Sequence, residues 1–303
     1  MTVLQGVILF VAALLGGGLN SVAGGGSFIS FPALFFIGVP PVNANATSTV
    51  ALWPGSVAST GAYRRELAKQ PRVLLIALGI PSLIGGILGA QLLLNTPQAI
   101  FTALIPYLLL AATLLFTFSG QFTAFVRGRR ASANPAEALP VDTAPATPAL
   151  AAPISFTPTN LAPTGVTPVD VVALRTSGTR RLVVVALVQL VIATYGGYFG
   201  GGIGILMLAS LSMMGLGNIH QMNALKTLLA SVINGVAVLL FAIQRAVFWP
   251  EALLMVVGAI VGGYGGAYYA RKLDPKLVRG FVIVVAFSMT IYFFLNAYVL
   301  HFK

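Results

Sequence analysis

The sequence predicts an all-α, polytopic membrane protein: an inverted-topology repeat of two five-element halves, each opening with a glycine-broken hairpin helix. Three observations lead to this fold class. Hydrophobic residues make up 57% of the 303 residues and charged residues only 8%, whereas a soluble domain carries about 25% charged residues. Two apolar stretches are too long for one membrane crossing, and each contains three consecutive glycines. Several short motifs of the first half recur in the second half.

Apolar stretches predict the membrane elements in chain order. They cover residues 3–38, 43–63, 72–94, 98–122, 182–214, 220–243, 249–270 and 277–300. A membrane helix needs about 20 apolar residues, so six of these stretches fit one crossing each. The first and the fifth have about 35 residues, and one helix of that length would extend about 50 Å, beyond a hydrocarbon core of about 30 Å. Both are therefore predicted to fold back at their glycine runs.

A segment rich in proline and alanine divides the chain. Residues 1–122 form the first predicted transmembrane repeat, residues 123–179 the linker and residues 180–303 the second repeat. The frequent prolines of the linker, with Ala and Thr between them, do not support a packed core and are typical of an extended tether. We expect the linker to lie in the cytoplasm, because arginines flank it at both ends and cytoplasmic loops are enriched in basic residues.

Three pairs of motifs indicate that the two halves are repeats of one another. In chain order the pairs are Gly24–Gly26 with Gly200–Gly202, NATST (45–49) with NALKT (223–227), and GGILGA (85–90) with GGYGGA (262–267). Glycine-rich matches also arise by chance, because membrane helices contain much glycine. Three matches in the same order at a nearly constant offset favour a true repeat.

Basic residues predict the orientation of each element. They cluster at 64–72, 127–130, 175–181 and 271–279. The positive-inside rule assigns all of these clusters to the cytoplasm. The fifth stretch must then enter the membrane and return to the same side, since two further crossings lead from it to the last cluster. By repeat symmetry the first stretch does the same from the opposite side, so both chain ends are predicted to lie outside.

The glycine breaks are the first candidate solute-binding feature. The residues are Gly24, Gly25, Gly26 and Ser27 at the first break and Gly200, Gly201 and Gly202 at the second. Non-helical backbone is tolerated within a membrane only where it is buried in protein or lines a polar cavity. In inverted-repeat transporters such breaks meet near the midplane, where freed amides and helix N-termini hold anions. Close helix packing through small residues is the alternative role for these glycines.

A polar motif at the start of one helix in each half is the second candidate. Its binding residues are predicted to be Asn45, Thr47 and Ser48 in the first half and Asn223, Lys226 and Thr227 in the second. Helix caps and interhelical hydrogen bonds are the alternative for the uncharged residues. Lys226 lies about two turns inside an apolar helix, where a cation usually faces a cavity unless it snorkels to the interface. Acidic residues occur only at loop edges and in the linker, so Lys226 has no predicted partner and indicates an anionic solute.

Composition excludes several other classes of function. The chain has no cysteine and two histidines, and with no acid inside a span neither a metal site nor a general acid–base pair can be assembled. We therefore predict that the protein is not an enzyme and binds no cofactor or metal. The net charge of +11 is attributed to cytoplasmic loops, so nucleic acid is not a predicted partner.

One long segment carries a family resemblance. GGGLNSVAGGGSFISFPALFFIGVPPVNANATSTVAL, residues 16–52, resembles the signature of the TauE/SafE family of sulfite and organosulfonate exporters. The later GGGIGIL and GGYGGA motifs also fit this pattern, so the resemblance covers residues 3–122 and 182–300 and leaves out the linker. The second half departs from the first where Leu225 and Lys226 replace a Thr-Ser pair.

The resemblance implies a multi-pass protein of the bacterial inner membrane. It implies the export of small sulfur-containing anions, such as sulfite or organosulfonates, by alternating access around a midplane site. An anion channel, or an uptake permease for another small anion on the same scaffold, is the alternative. The implied partners are the anion and the lipid bilayer, and a homo-oligomer is compatible with this class of protein.

Overall fold

The fold is a bundle of α-helices, described by a computed structural model over residues 1–22, 25–133, 179–214, 216, 219–270, 275–296 and 298. The first-half helices are α1 (Val3–Val22), α2 (Ser27–Phe36), α3 (Pro41–Ala62), α4 (Arg64–Ala68), α5 (Arg72–Asn95) and α6 (Gln98–Ala133). The second-half helices are α7 (Thr179–Tyr198), α8 (Ile203–Met213), α9 (Ile219–Ile243), α10 (Trp249–Ala270) and α11 (Pro275–Leu295). These described ranges contain no strand, and the predicted all-α class is confirmed.

The membrane elements have bounds close to those predicted. The first long stretch is divided into α1 and α2, and the fifth into α7 and α8, at the two glycine runs. The short helix α4 is absent from the sequence prediction, although its residues RRELA are mostly good helix formers. Helix α6 continues to Ala133 instead of ending near residue 122, and no proline between residue 122 and Pro135 ends it earlier. Most of the predicted linker, residues 134–178, lies outside the described residues.

Glycines allow α1 and α10 to pack backbone against backbone. A methyl group on Gly258 would lie 2.7 Å from the carbonyl oxygen of Phe10, and one on Gly262 would collide with the carbonyl oxygen of Leu14. The second contact lies one helical turn after the first on both helices, in the direction of the chain in each case. Helices α1 and α10 therefore run parallel, and small residues set their separation.

The same kind of contact joins α5 and α7. A methyl group on Gly85 would lie 2.7 Å from the carbonyl oxygen of Leu190, and one on Gly89 would lie 2.7 Å from the amide nitrogen of Tyr198. These contacts also advance in the same sense, so α5 and α7 run parallel. Gly85 and Gly262 are equivalent positions of the GGILGA and GGYGGA motifs, and each motif packs against the long helix that opens the other half.

The two helices that carry the polar motifs, α3 and α9, cross antiparallel. Near the start of α3, Asn43 Nδ2 donates to the carbonyl oxygen of Ala246, just beyond the end of α9, at 2.9 Å. Near the middle of both helices, Trp53 Nε1 donates to the carbonyl oxygen of Ser231 at 3.0 Å. A later residue of α3 thus contacts an earlier residue of α9, so the two helices run in opposite directions.

Apolar side chains cover the outer faces of the bundle. On α1 the exposed large apolar residues recur along one face: Val3, Leu4, Val7, Ile8, Val11 and Leu15. Four helices within the described part of the chain are long and apolar enough to cross a membrane, namely α1, α5, α6 and α9. Large exposed apolar patches mark membrane contact, so the chain is a multi-pass membrane protein.

Candidate functional site

The first glycine break lies near mid-depth in the bundle. Its glycines separate α1 from α2, and a methyl group on Gly16 of α1 would lie 3.0 Å from the carbonyl oxygen of Gly26. The neighbouring Gly17 packs against the backbone of Ala259, the middle residue of α10. Gly26 takes the N-cap position of α2 without a side-chain hydrogen bond, and Ser27 is the first helical residue rather than the cap. Gly24 lies outside the described residues.

The second break has a backbone that favours glycine. Gly200 and Gly202 have φ angles of 78° and 75°, in the left-handed region where a side chain is disfavoured. Gly201 lies buried between them. A methyl group on Gly196, just before the break, would lie 3.3 Å from Ile233 Cγ2 near the middle of α9. This break therefore also lies near mid-depth.

Polar backbone groups are available at the second break. Within the described part of the chain, no hydrogen bond takes up the N–H groups of Gly201 and Gly202. The carbonyl oxygens are in use: Gly202 accepts from Ile205 at 3.0 Å, and Gly201 accepts from the Tyr195 hydroxyl at 2.8 Å. The break thus presents donors, which suit an anion, more than acceptors, which suit a cation.

One face of α3 connects the two breaks. Asn45 Nδ2 donates to the carbonyl oxygen of Tyr198, immediately before the second break, at 3.0 Å. One turn further along, the Ser48 hydroxyl lies 2.6 Å from the hydroxyl of Ser30 in α2. Ser30 in turn donates to the carbonyl oxygen of Gly26 at 3.1 Å. The structure therefore brings Asn45 and Ser48 together with both breaks.

Two predicted residues use their hydroxyls elsewhere. The Thr47 side chain is fully buried, and its Oγ1 accepts from the amide of Phe248 at the start of α10, at 3.1 Å. Thr227 Oγ1 donates to the carbonyl oxygen of Ala224 in its own helix at 2.9 Å. Thr47 thus anchors a neighbouring helix, and Thr227 satisfies a local backbone group.

Lys226 lies against the broken segment of its own half. Its Cδ would be 3.3 Å from a methyl group placed on Gly204, in the first turn of α8. Lys226 and Asn223 are partly buried and lie on one face of α9, three residues apart. Neither side chain has a hydrogen bond or an ion pair among the described residues. The acidic Glu251 is in the first turn of α10, and the residues described contain no group of three or more metal-binding side chains.

Sequence reasoning missed three residues that shape the site. Ser30 holds α2 to α3, Tyr195 holds the carbonyl of Gly201, and Gly204 makes room for Lys226. Gly204 carried a visible signal, since it extends the glycine run in GGGIGIL. Ser30 and Tyr195 carried none, because a single polar residue in an apolar helix does not indicate its partner.

Comparison with known proteins gives consistent results. A "Probable membrane transporter protein" of Haemophilus influenzae is 25% identical over 284 residues, which cover 93% of this chain and 92% of that protein. The "Probable membrane transporter protein ORF9" of a Sinorhizobium species is 27% identical, over 93% of this chain and 90% of the relative. The "Probable membrane transporter protein YfcA" of Escherichia coli K12 is 24% identical, over 93% and 87% respectively.

No solved structure matches the chain. The family model described as "Sulfite exporter TauE/SafE" matches residues 9–293. That range includes both glycine breaks, both polar motifs and nearly every helix of the bundle. The chain therefore belongs to the TauE/SafE sulfite exporter family of membrane transporters.

Proposed function

We propose that the protein is a secondary transporter that exports small sulfur-containing anions, such as sulfite or organosulfonates, across the bacterial inner membrane. The solute is held at mid-depth beside the glycine breaks, and alternating access exposes it to each side in turn. The observation that carries this proposal is Lys226, a partly buried cation with no partner among the described residues, beside a break that offers free amides. The solute class and the export direction follow the description of the family.

An inverted-topology repeat is part of the proposal. The equivalent helices α3 and α9 run antiparallel. The opening helix of each half packs in parallel on a helix of the other half, α1 on α10 and α7 on α5. Exchanging the halves reproduces these contacts, as a two-fold axis in the membrane plane would require. This arrangement supports alternating access, in which related elements move against one another around a fixed site.

The charge at the site favours a singly charged solute. Between residues 182 and 244 the sequence has one charged side chain, Lys226. A buried charge without compensation is costly, so an organosulfonate monoanion leaves the site neutral, whereas sulfate leaves one negative charge in excess. We expect sulfonates and hydrogensulfite to bind more tightly than sulfate.

Transport by the purified protein in proteoliposomes tests the proposal. The panel contains sulfite, sulfate, thiosulfate, sulfonates and carboxylates, assayed with the native protein and with Lys226→Met. We expect the substitution to weaken binding of the transported anion by about 1.5–3 kcal/mol, roughly 10- to 150-fold, because it removes a charge-assisted hydrogen bond.

Lys226→Arg is the matched control. It keeps the charge and changes the shape of the cation, so it should retain part of the affinity and alter the preference among anions. A snorkelling lysine would instead tolerate Met without loss of affinity and with equal or greater thermal stability. Native protein that moves carboxylates but no sulfur-containing anion would contradict the proposed solute class, and currents far above a carrier's turnover would favour a channel.

A further inference from the structure

We infer that the two polar motifs have divided roles: Asn223 and Lys226 bind the solute, whereas Asn45 and Ser48 form a structural latch between the broken helices. The inference rests on the proposed anion transport and deepens it. The two pairs are equivalent in the aligned NATST and NALKT motifs. Their hydrogen bonds and their exposure differ, and these differences decide which pair can offer donors to an anion.

The hydroxyl protons of the first half are already in use. A serine hydroxyl has one proton to donate, and a backbone carbonyl can only accept. Ser30 lies 3.1 Å from the carbonyl oxygen of Gly26 and donates to it. Ser30 therefore accepts in its 2.6 Å contact with Ser48, and Ser48 is the donor there. Neither hydroxyl retains a proton for a solute.

One of the two side-chain N–H groups of Asn45 is committed to the protein as well. Its Nδ2 donates to the carbonyl oxygen of Tyr198 at 3.0 Å. The side chains of Asn45 and Ser48 are only 3% and 2% exposed, so a solute has little access to either. Together the two residues join α3 to the end of α7 and to the start of α2. This latch fixes both broken segments to one face of α3.

The equivalent pair in the second half has its donors free. An amide NH₂ has two N–H groups and an ammonium has three. No hydrogen bond or ion pair involves the side chains of Asn223 or Lys226 across the described ranges, and both side chains are only partly buried. Donors spaced three residues apart on a helix point to the same side. The pair therefore converges on one solute.

A second sequence difference explains why Lys226 has room. Phe28 and Gly204 are each the second residue of the helix that follows a break. The Phe28 side chain is buried, with 1% exposure, and occupies the first-half position. Gly204 has no side chain at the equivalent position, and the stem of Lys226 lies there instead. The second half thus accommodates a long cation where the first half accommodates a ring.

Equilibrium binding of sulfite and of methanesulfonate to the detergent-purified protein tests the division of roles. We expect Asn223→Ala and Lys226→Met each to weaken binding by about tenfold or more, because each removes a hydrogen bond to a charged ligand. Ser30→Ala and Ser48→Ala should leave the dissociation constant within about twofold of native and lower the melting temperature, because they remove structural bonds alone. Ser59→Ala is the matched control, since the Ser59 hydroxyl bonds only the carbonyl of Gly55 in its own helix.

The outcomes separate the inference from the function on which it rests. Tight binding in the native protein that is lost in both serine variants and kept in Asn223→Ala would overturn the division of roles alone. A native protein that binds neither anion would overturn the proposed function together with the inference. A serine variant that fails to fold still leaves the comparison of Asn223→Ala with native protein, and unchanged affinity there would reject Asn223 as a ligand.

Discussion

At the scale of single residues, backbone conformation explains part of the glycine content. Gly200 and Gly202 occupy the left-handed region, where an L side chain costs about 1–2 kcal/mol. Gly26 has an ordinary helical conformation, with φ of −58°, and is required for a different reason: a side chain there would collide with the carbonyl of Gly16. The two breaks therefore use glycine for conformation in one case and for close approach in the other.

Gly202→Ala isolates the conformational requirement. The added methyl group would meet its nearest neighbour, Ala112, at an ordinary 3.4 Å, so crowding contributes little. We expect the variant to lose about 1–2 kcal/mol of stability from backbone strain, seen as a lower melting temperature. Gly61→Ala is the control, because its methyl group meets nothing within 4 Å and its φ is not positive. Equal melting temperatures for the two variants would contradict this explanation.

At the scale of helices, the glycine motifs outside the breaks act as packing surfaces. The GGILGA and GGYGGA motifs each lie where two parallel helices, one from each half, are in backbone contact. Membrane helices gain no hydrophobic energy by leaving lipid, so close packing of small residues supplies much of their association. GGYGGA contacts Leu14 and GGILGA contacts Leu190. Because these two leucines lie on the helices that lead into the breaks, the motifs help to position the breaks.

Gly262→Ala tests this packing. Its methyl group would collide with the backbone of Leu14, which cannot yield as a side chain can, so α1 and α10 must separate. Gly79→Ala places the same group in open space and removes the cost of glycine in a helix, about 1 kcal/mol. We expect Gly262→Ala to lower the melting temperature and Gly79→Ala to keep or raise it. A Gly262→Ala protein as stable as the native one would show that the contact has no energetic importance.

At the scale of the whole molecule, helix direction and basic residues make one joint prediction of topology. Helix α1 runs parallel to α10, and α3 antiparallel to α9. With the basic clusters assigned to the cytoplasm, we expect both chain ends to lie outside and the linker to lie inside. The arrangement is consistent only if the two halves have opposite orientations.

Single cysteines report that topology directly, because the chain has no native cysteine. An impermeant thiol reagent applied to intact cells should label Thr2→Cys and Phe302→Cys. Leu150→Cys, in the linker, should be labelled only after the membrane is permeabilised, and this difference is the internal control. A cytoplasmic Phe302→Cys would contradict the inverted-repeat proposal.

The sequence by itself determined the class of the protein, the bounds of most helices and the places where two long apolar stretches are each divided into two helices. These features depend on local composition: hydropathy over about 20 residues gives a span, and glycine marks where a helix stops. Helix α4 and the last residues of α6 were not predicted. Both lie beyond an apolar stretch, in polar sequence with good helix formers such as arginine, which hydropathy does not detect. Lys226 was visible from sequence because a charge in an apolar helix is rare.

Only the tertiary structure decided which polar residues still have hydrogen-bond donors to offer. Asn45 and Asn223 are alike in sequence, and so are their motifs, but Asn45 is bonded to Tyr198 and Asn223 has no partner among the described residues. Nothing in the sequence marks Ser30, yet its hydroxyl accepts the hydrogen bond that Ser48 donates. The physical reason is that a hydrogen bond depends on atoms brought together from distant parts of the chain, whereas hydropathy and helix breaking are summed over neighbouring residues.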